Sequence, residues 1–129
     1  MIKKISNLFN KEEMDFNLPS NDKTVFTLMV DKIQIGKLRC YNGLWEFTYS
    51  EEFKNNQHEY KRIAGFPDLD KTYQKETLWP FFLTRIPGLK QPAIKEIIEK
   101  ENIDSRNEVA LLKRFGKHSI ANPYELIPG

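Results

Sequence analysis

One cysteine in 129 residues leaves no partner for an internal disulfide, and a cysteine-rich zinc site is equally excluded. That residue, Cys40, is expected to be a reduced core or edge filler in a cytoplasmic protein. No apolar run approaches the roughly 20 residues of a membrane span. The opening Met1-Ile2-Lys3-Lys4 is not followed by a signal-like apolar stretch, since Lys11-Glu12-Glu13 interrupts it. Charge of one sign is also missing. Twenty basic residues face 18 acidic ones, a formal +2, which gives no electrostatic footprint for nucleic acid.

Chemistry-bearing patterns are equally sparse. The six glycines form neither a dinucleotide fingerprint nor a phosphate loop. No serine sits in a nucleophile elbow. His58 and His118 have no ligand partner three to five residues away, so both read as solvated and no metal is expected. The neighbouring acids Glu12-Glu13 and Glu51-Glu52 do not face each other on a helix, which argues against a proton-sharing pair. No catalytic residue and no cofactor is expected, and the chain reads as a non-enzyme.

The 40% hydrophobic and 12% aromatic content suffices for one core. Residues 1–23 read as an extension. It is either a short amphipathic helix on Ile2, Ile5, Leu8 and Phe9 or a frayed terminus. Residues 24–129 read as one domain. Val25 to Val30 form a β-rich run, Asp31-Lys32 a turn, and Ile33 to Arg39 a second strand. Asn42-Gly43 is a hairpin signal, because both residues tolerate positive φ. Trp45, Phe47 and Tyr49 then alternate with polar residues, the period of a half-buried strand. These three strands make an antiparallel meander. Ser50 to Phe53 reads as a capped turn, and Tyr60 to Ile63 as a further short strand.

The second half changes period. The sequence predicts a helix capped by Thr77 and containing Leu78, Trp79, Phe81, Phe82 and Ile86, with Pro80 at its third position and Pro87-Gly88 at its end. Pro92 opens a second helix with Ala93, Ile94, Ile97 and Ile98 on one stripe. Ser105-Arg106-Asn107-Glu108 has capping-box spacing ahead of a third helix, which Gly116 stops. Ile120 to Ile127 returns as an extended segment broken at Asn122-Pro123. Strands followed by helices mean an α+β fold: a small antiparallel sheet packed with about three helices.

One stretch stands out. Leu78 to Gly88 is apolar nearly all round, so a single sheet face cannot bury all of it. Either it is an internal helix or part of it meets another protein. Trp and Arg are the residue types enriched at interface hot spots. Trp79, Phe81, Phe82 and Arg85 are the candidate partner-binding residues.

The order of these motifs resembles the N-terminal subdomain 1 of HipA-like kinases. The resemblance rests on Ile35-Gly36-Lys37-Leu38, Gly43-Leu44-Trp45-Glu46-Phe47-Thr48-Tyr49, Phe66-Pro67, Trp79-Pro80-Phe81-Phe82 with Arg85-Ile86-Pro87, Leu111-Leu112 with Phe115-Gly116, and Asn122-Pro123-Tyr124-Glu125-Leu126. It covers about residues 24–128, and the ATP-binding and catalytic motifs of the kinase itself are missing. A free-standing version of this subdomain is similar to the HipS-like components of HipBST toxin–antitoxin systems. The resemblance implies a non-catalytic partner that binds and restrains a HipT-like Ser/Thr kinase, with a HipB-like DNA-binding protein as a further member of the complex. Two other readings stay open: an assembly module without direct inhibition, and a nucleic-acid-binding domain.

Overall fold

The computed structural model of the chain describes residues 23–56 and 62–129. The meander is present as expected: β1 spans Thr24–Val30, β2 Ile33–Tyr41 and β3 Leu44–Tyr49. Both connections are two-residue turns with positive φ throughout, at Asp31 (48°) and Lys32 (70°), then at Asn42 (51°) and Gly43 (75°). That geometry suits the right-handed twist of paired strands. The first turn achieves it without glycine.

The sheet has one departure from regular pairing. Leu28 pairs with Gly36 but Met29 pairs with Gln34, so Ile35 is an extra residue on β2. The bulge lets both Ile35 and Gly36 turn to the buried side. A side chain at Gly36 would press into the Thr48 carbonyl and come within 2.8 Å of the Phe47 ring, so only glycine fits there. Elsewhere burial alternates. Phe26, Leu28, Leu38, Trp45 and Phe47 form the inner face, while Thr27, Lys37, Arg39, Glu46 and Thr48 form the outer one.

After β3, Ser50 caps a short helix, α1, over Glu51–Asn55, as the sequence indicated. Its hydroxyl accepts from the Phe53 amide (3.1 Å) and donates to the Gln34 carbonyl. Phe53 stacks on Tyr49 with ring centroids 5.0 Å apart. The Tyr49 hydroxyl donates to the Phe66 carbonyl (2.5 Å) and accepts from the Ile63 amide (2.9 Å). Burial pushes its pKa up to about 12, so it remains a phenol and keeps this grip.

Of the strand expected at residues 60–63, Tyr60 and Lys61 lie outside the described residues, and Arg62 and Ile63 are not in a strand. The role of a further strand falls instead to β4, Tyr73–Lys75, which pairs with β3 through Trp45 and Lys75. Residues 1–22, including the helix weighed on Ile2 to Phe9, are likewise outside the description, as is His58.

The apolar stretch forms a single helical turn, α2, over Pro80–Leu83. This corrects the placement of the cap. Trp79, not Thr77, is the N-cap, and Pro80 is the first helical residue rather than the third. Proline itself dictates this. It pushes the preceding residue into extended backbone, here ψ 149° at Trp79, and its own fixed φ suits the first turn. Helix α3 spans Pro92–Lys100 as expected, although Ala93 is exposed and only Ile94, Ile97 and Ile98 are half-buried. Helix α4 spans Glu108–Phe115. Its cap is a second correction: Asn107, not Ser105, accepts from the Ala110 amide (3.1 Å). Gly116 ends α4 with an ordinary φ of −85°, and a Cβ there would lie 2.5 Å from the Leu112 carbonyl.

The extended return is shorter than expected and occupies Glu125–Pro128 as β5. It pairs antiparallel with β1, giving the sheet order β4-β3-β2-β1-β5. Gly129 donates its amide to the Val25 carbonyl (2.7 Å), so Leu126 and Pro128 face the opposite, outer edge. There the Leu126 amide donates to the Lys117 carbonyl (2.9 Å), and Pro128 has no N–H. The fold is α+β. Phe53 from α1, Phe82 from α2 and Val109 and Leu112 from α4 complete the core on the inner sheet face.

A candidate docking surface

The four candidate residues all come from residues 79–85, and the structure divides them. Phe82 is fully buried, 5.6 Å from Phe47 and 6.1 Å from Phe66 between ring centroids. Trp79 and Phe81 are half-buried. The Trp79 ring sits edge-on against Phe66 at 5.1 Å, and Phe66 in turn meets Tyr73 edge-on at 4.9 Å. Phe81 lies edge-on to Phe82 at 5.1 Å and tilted against Tyr124 at 5.9 Å. The stretch is therefore internal on one side and accessible on the other. Two aromatic rings stand partly in solvent on a base of buried ones.

Arg85 does not belong to the accessible side. It is 3% exposed. Its Nη1 donates to the carbonyls of Gly116 (2.9 Å) and Lys117 (3.2 Å), and its Nη2 to Asn122 Oδ1 (3.0 Å) and the Tyr124 carbonyl (3.0 Å). Its Nε has no hydrogen-bond partner among the described residues. Burial lowers its pKa to about 10, which still leaves it charged at neutral pH. Two of these four oxygens, those of Gly116 and Lys117, lie just beyond the C-terminus of α4, the negative end of that helix. Arg85 thus ties the loop between α4 and β5 to α2. Of the four, Trp79 and Phe81 keep accessible surface, while Phe82 and Arg85 lie buried beneath it.

One residue of this region escapes sequence reasoning. Glu108, read as the reciprocal member of a capping box, is 5% exposed. Its Oε1 accepts from Trp45 Nε1 (2.9 Å). Burial raises its pKa above the ordinary 4.5, while the Trp45 donor and the nearby Leu78 backbone pull the other way. No sequence signal points to this pairing, because the partners are 63 residues apart.

Other chemistry is thin. Among the described residues no three His, Cys, Asp or Glu side chains come together as a metal site. His118 is exposed and lies 3.6 Å from Glu125. Cys40 is buried in β2 opposite Trp45. Among the described residues no helix is long and apolar enough to cross a membrane. A cavity of about 390 Å³ opens between the Asp31-Lys32 turn and β5, and none of the four candidate residues lines it.

Residues 26–121 match the family model described as HipA N-terminal domain. Neither the curated proteins nor the solved structures gave a match.

Proposed function

The chain belongs to the HipA N-terminal domain family, and from that premise we propose that it is a non-catalytic antitoxin or regulator that docks on a HipT-like Ser/Thr kinase and restrains it. The observation that carries this reading is the pair Trp79 and Phe81, partly exposed against the buried rings of Phe66 and Phe82. Rigid aromatic rings that are already held in place lose little side-chain freedom on binding, which favours them as anchors.

In a kinase that carries this domain covalently, the surface would pack against the core as a neighbour. A free-standing copy of the domain would find that core by association. A ring such as Trp79 entering near the cleft would oppose the closure and nucleotide geometry that phosphoryl transfer requires. The protein acts in the cytoplasm, with a HipB-like DNA-binding protein as a further member of the complex.

Titration of the chain into a HipT-like kinase, followed by complex formation and autophosphorylation, tests the reading. Binding with falling activity is expected. Trp79→Ala should weaken that binding by about 2 kcal/mol, or roughly 30-fold. Wild-type affinity in a folded Trp79→Ala chain would discard the wedge. Binding with unchanged activity would replace inhibition by an assembly role.

A further inference from the structure

The loop between α4 and β5 is fastened at both ends by Arg85, whose guanidinium bonds to Gly116 and Lys117 on one side and to Asn122 and Tyr124 on the other. The Tyr124 amide also donates to Asn122 Oδ1 (3.1 Å), and at the tip the Ala121 amide donates to the Ser119 hydroxyl (3.1 Å). What this frame holds out is Ile120. It is completely exposed, and among the described residues only Ile127 joins it as an exposed large apolar residue. A single exposed apolar side chain is ordinary on a protein surface. These two are not independent, because Ile127 lines the cavity of about 390 Å³ beside the Asp31-Lys32 turn.

That cavity suits a branched apolar side chain. Met29, Pro123 and Ile127 give it apolar walls, and its charged lining is two acids, Asp31 and Glu125, to one base, Lys32. The Ile120 tip has the opposite character, with the exposed Lys117 and His118 just ahead of it. Pro123 belongs to both the loop and the cavity wall, so projection and cavity are neighbours on one molecule. A two-fold axis beside them would seat two projections at once. We propose that the cavity is occupied by a second copy of this chain: Ile120 of each copy enters the cavity of the other and covers both exposed isoleucines. The loop is already held by Arg85, so it loses little freedom on association. The contact is small, and a Kd of about 100 μM is expected. It is independent of the kinase docking proposed above.

Sedimentation equilibrium of the full chain from about 10 μM to about 1 mM, a span that brackets this constant, should show the mass rising from 15.3 kDa toward twice that value. Ile120→Ser alters an exposed residue, so its thermal midpoint should match wild type, while association should weaken at least about tenfold. Lys117→Glu should weaken it about threefold, as an acid then approaches Asp31 and Glu125. Carbon-13 on the methionine methyls reads the cavity itself, because Met29 lines it, and Met29→Leu assigns that signal among the three methionines. The Met29 signal should move as the wild-type chain is concentrated and stay still in Ile120→Ser. A wild-type chain that remains a monomer at the highest concentration would overturn the proposal. So would a dimer that survives Ile120→Ser, or one that forms without moving the Met29 signal, since the contact then lies on another face. A monomer whose Ile120→Ser variant binds the kinase more weakly would assign the loop to that partner and overturn the self-association equally.

Discussion

Replacing Arg85 with methionine should lower stability by about 3–5 kcal/mol. The substitution keeps most of the side-chain length but removes four hydrogen bonds, to Gly116, Lys117, Asn122 and Tyr124. Bonds from a charged donor contribute roughly 1.5–3 kcal/mol each, and about 1.5–2 kcal/mol suits four bonds shared by one guanidinium. Desolvation of the guanidinium offsets about 3 kcal/mol of that, the size implied by a pKa lowered from 12.5 to about 10. Not every acceptor is stranded by the change. The Lys117 carbonyl keeps the Leu126 amide, and Asn122 Oδ1 keeps the Tyr124 amide. The buried Gly116 carbonyl loses its guanidinium donor. At roughly 3 °C per kcal/mol for a chain of this size, the midpoint should fall by about 10–15 °C in a thermal melt followed by circular dichroism. Hydrogen exchange should show Ile127 and Gly129 losing protection before the β1–β2 pair, because the loop feeding β5 is the part released. Arg85→Lys should lose at least about 2 kcal/mol, since one ammonium cannot span four oxygens as the planar fork does. A methionine variant within about 1 kcal/mol of wild type would refute this account of the buried charge.

Three further outcomes are expected. Because the pKa of Glu108 is raised on folding, its contribution to stability is full below the ordinary 4.5 and is lost as pH rises through the folded value. Denaturant melts across pH 4 to 8 should therefore show a loss of stability in wild type that is absent in Glu108→Gln, and parallel curves would reject it. Gly36→Ala should cost about 2–3 kcal/mol in the same melts, as the new methyl meets the Thr48 carbonyl and the Phe47 ring. Lys32→Gly should gain about 0.5–1 kcal/mol by relieving a left-handed residue at φ 70°, and a loss of stability would contradict it.

The parts of the fold legible in sequence are those governed by neighbours. Period-two alternation and Asn42-Gly43 located the meander because strand burial and turn geometry are set within a few residues. Pro92 and Gly116 marked helix ends for the same reason. Pro80 carried the same information, but Thr77 offered a competing cap and drew the boundary too early. Ser105 and Glu108 had the spacing of a capping box, yet Asn107 is an equally good cap and the carboxylate found a partner across the core. Strand β4 is three residues with no alternation to detect, and only β3 gives it a place. The candidate docking residues were legible as types and not as directions. Arg85 looks like an interface arginine until its four oxygen partners are seen, whereas Trp79 and Phe81 retain accessible surface.

The outer side of β5 limits how the molecule can meet other chains. An open sheet grows by one more strand whenever its border presents donors and acceptors in alternation. Here the Leu126 donor is occupied by Lys117, and Pro128 supplies none. A second copy, or an unfolded chain emerging nearby, finds carbonyls without the matching amides and gains no ladder on that side. Copies of the chain are thus protected from zipping together along β5, which leaves side-chain surfaces as the places where another chain can be met.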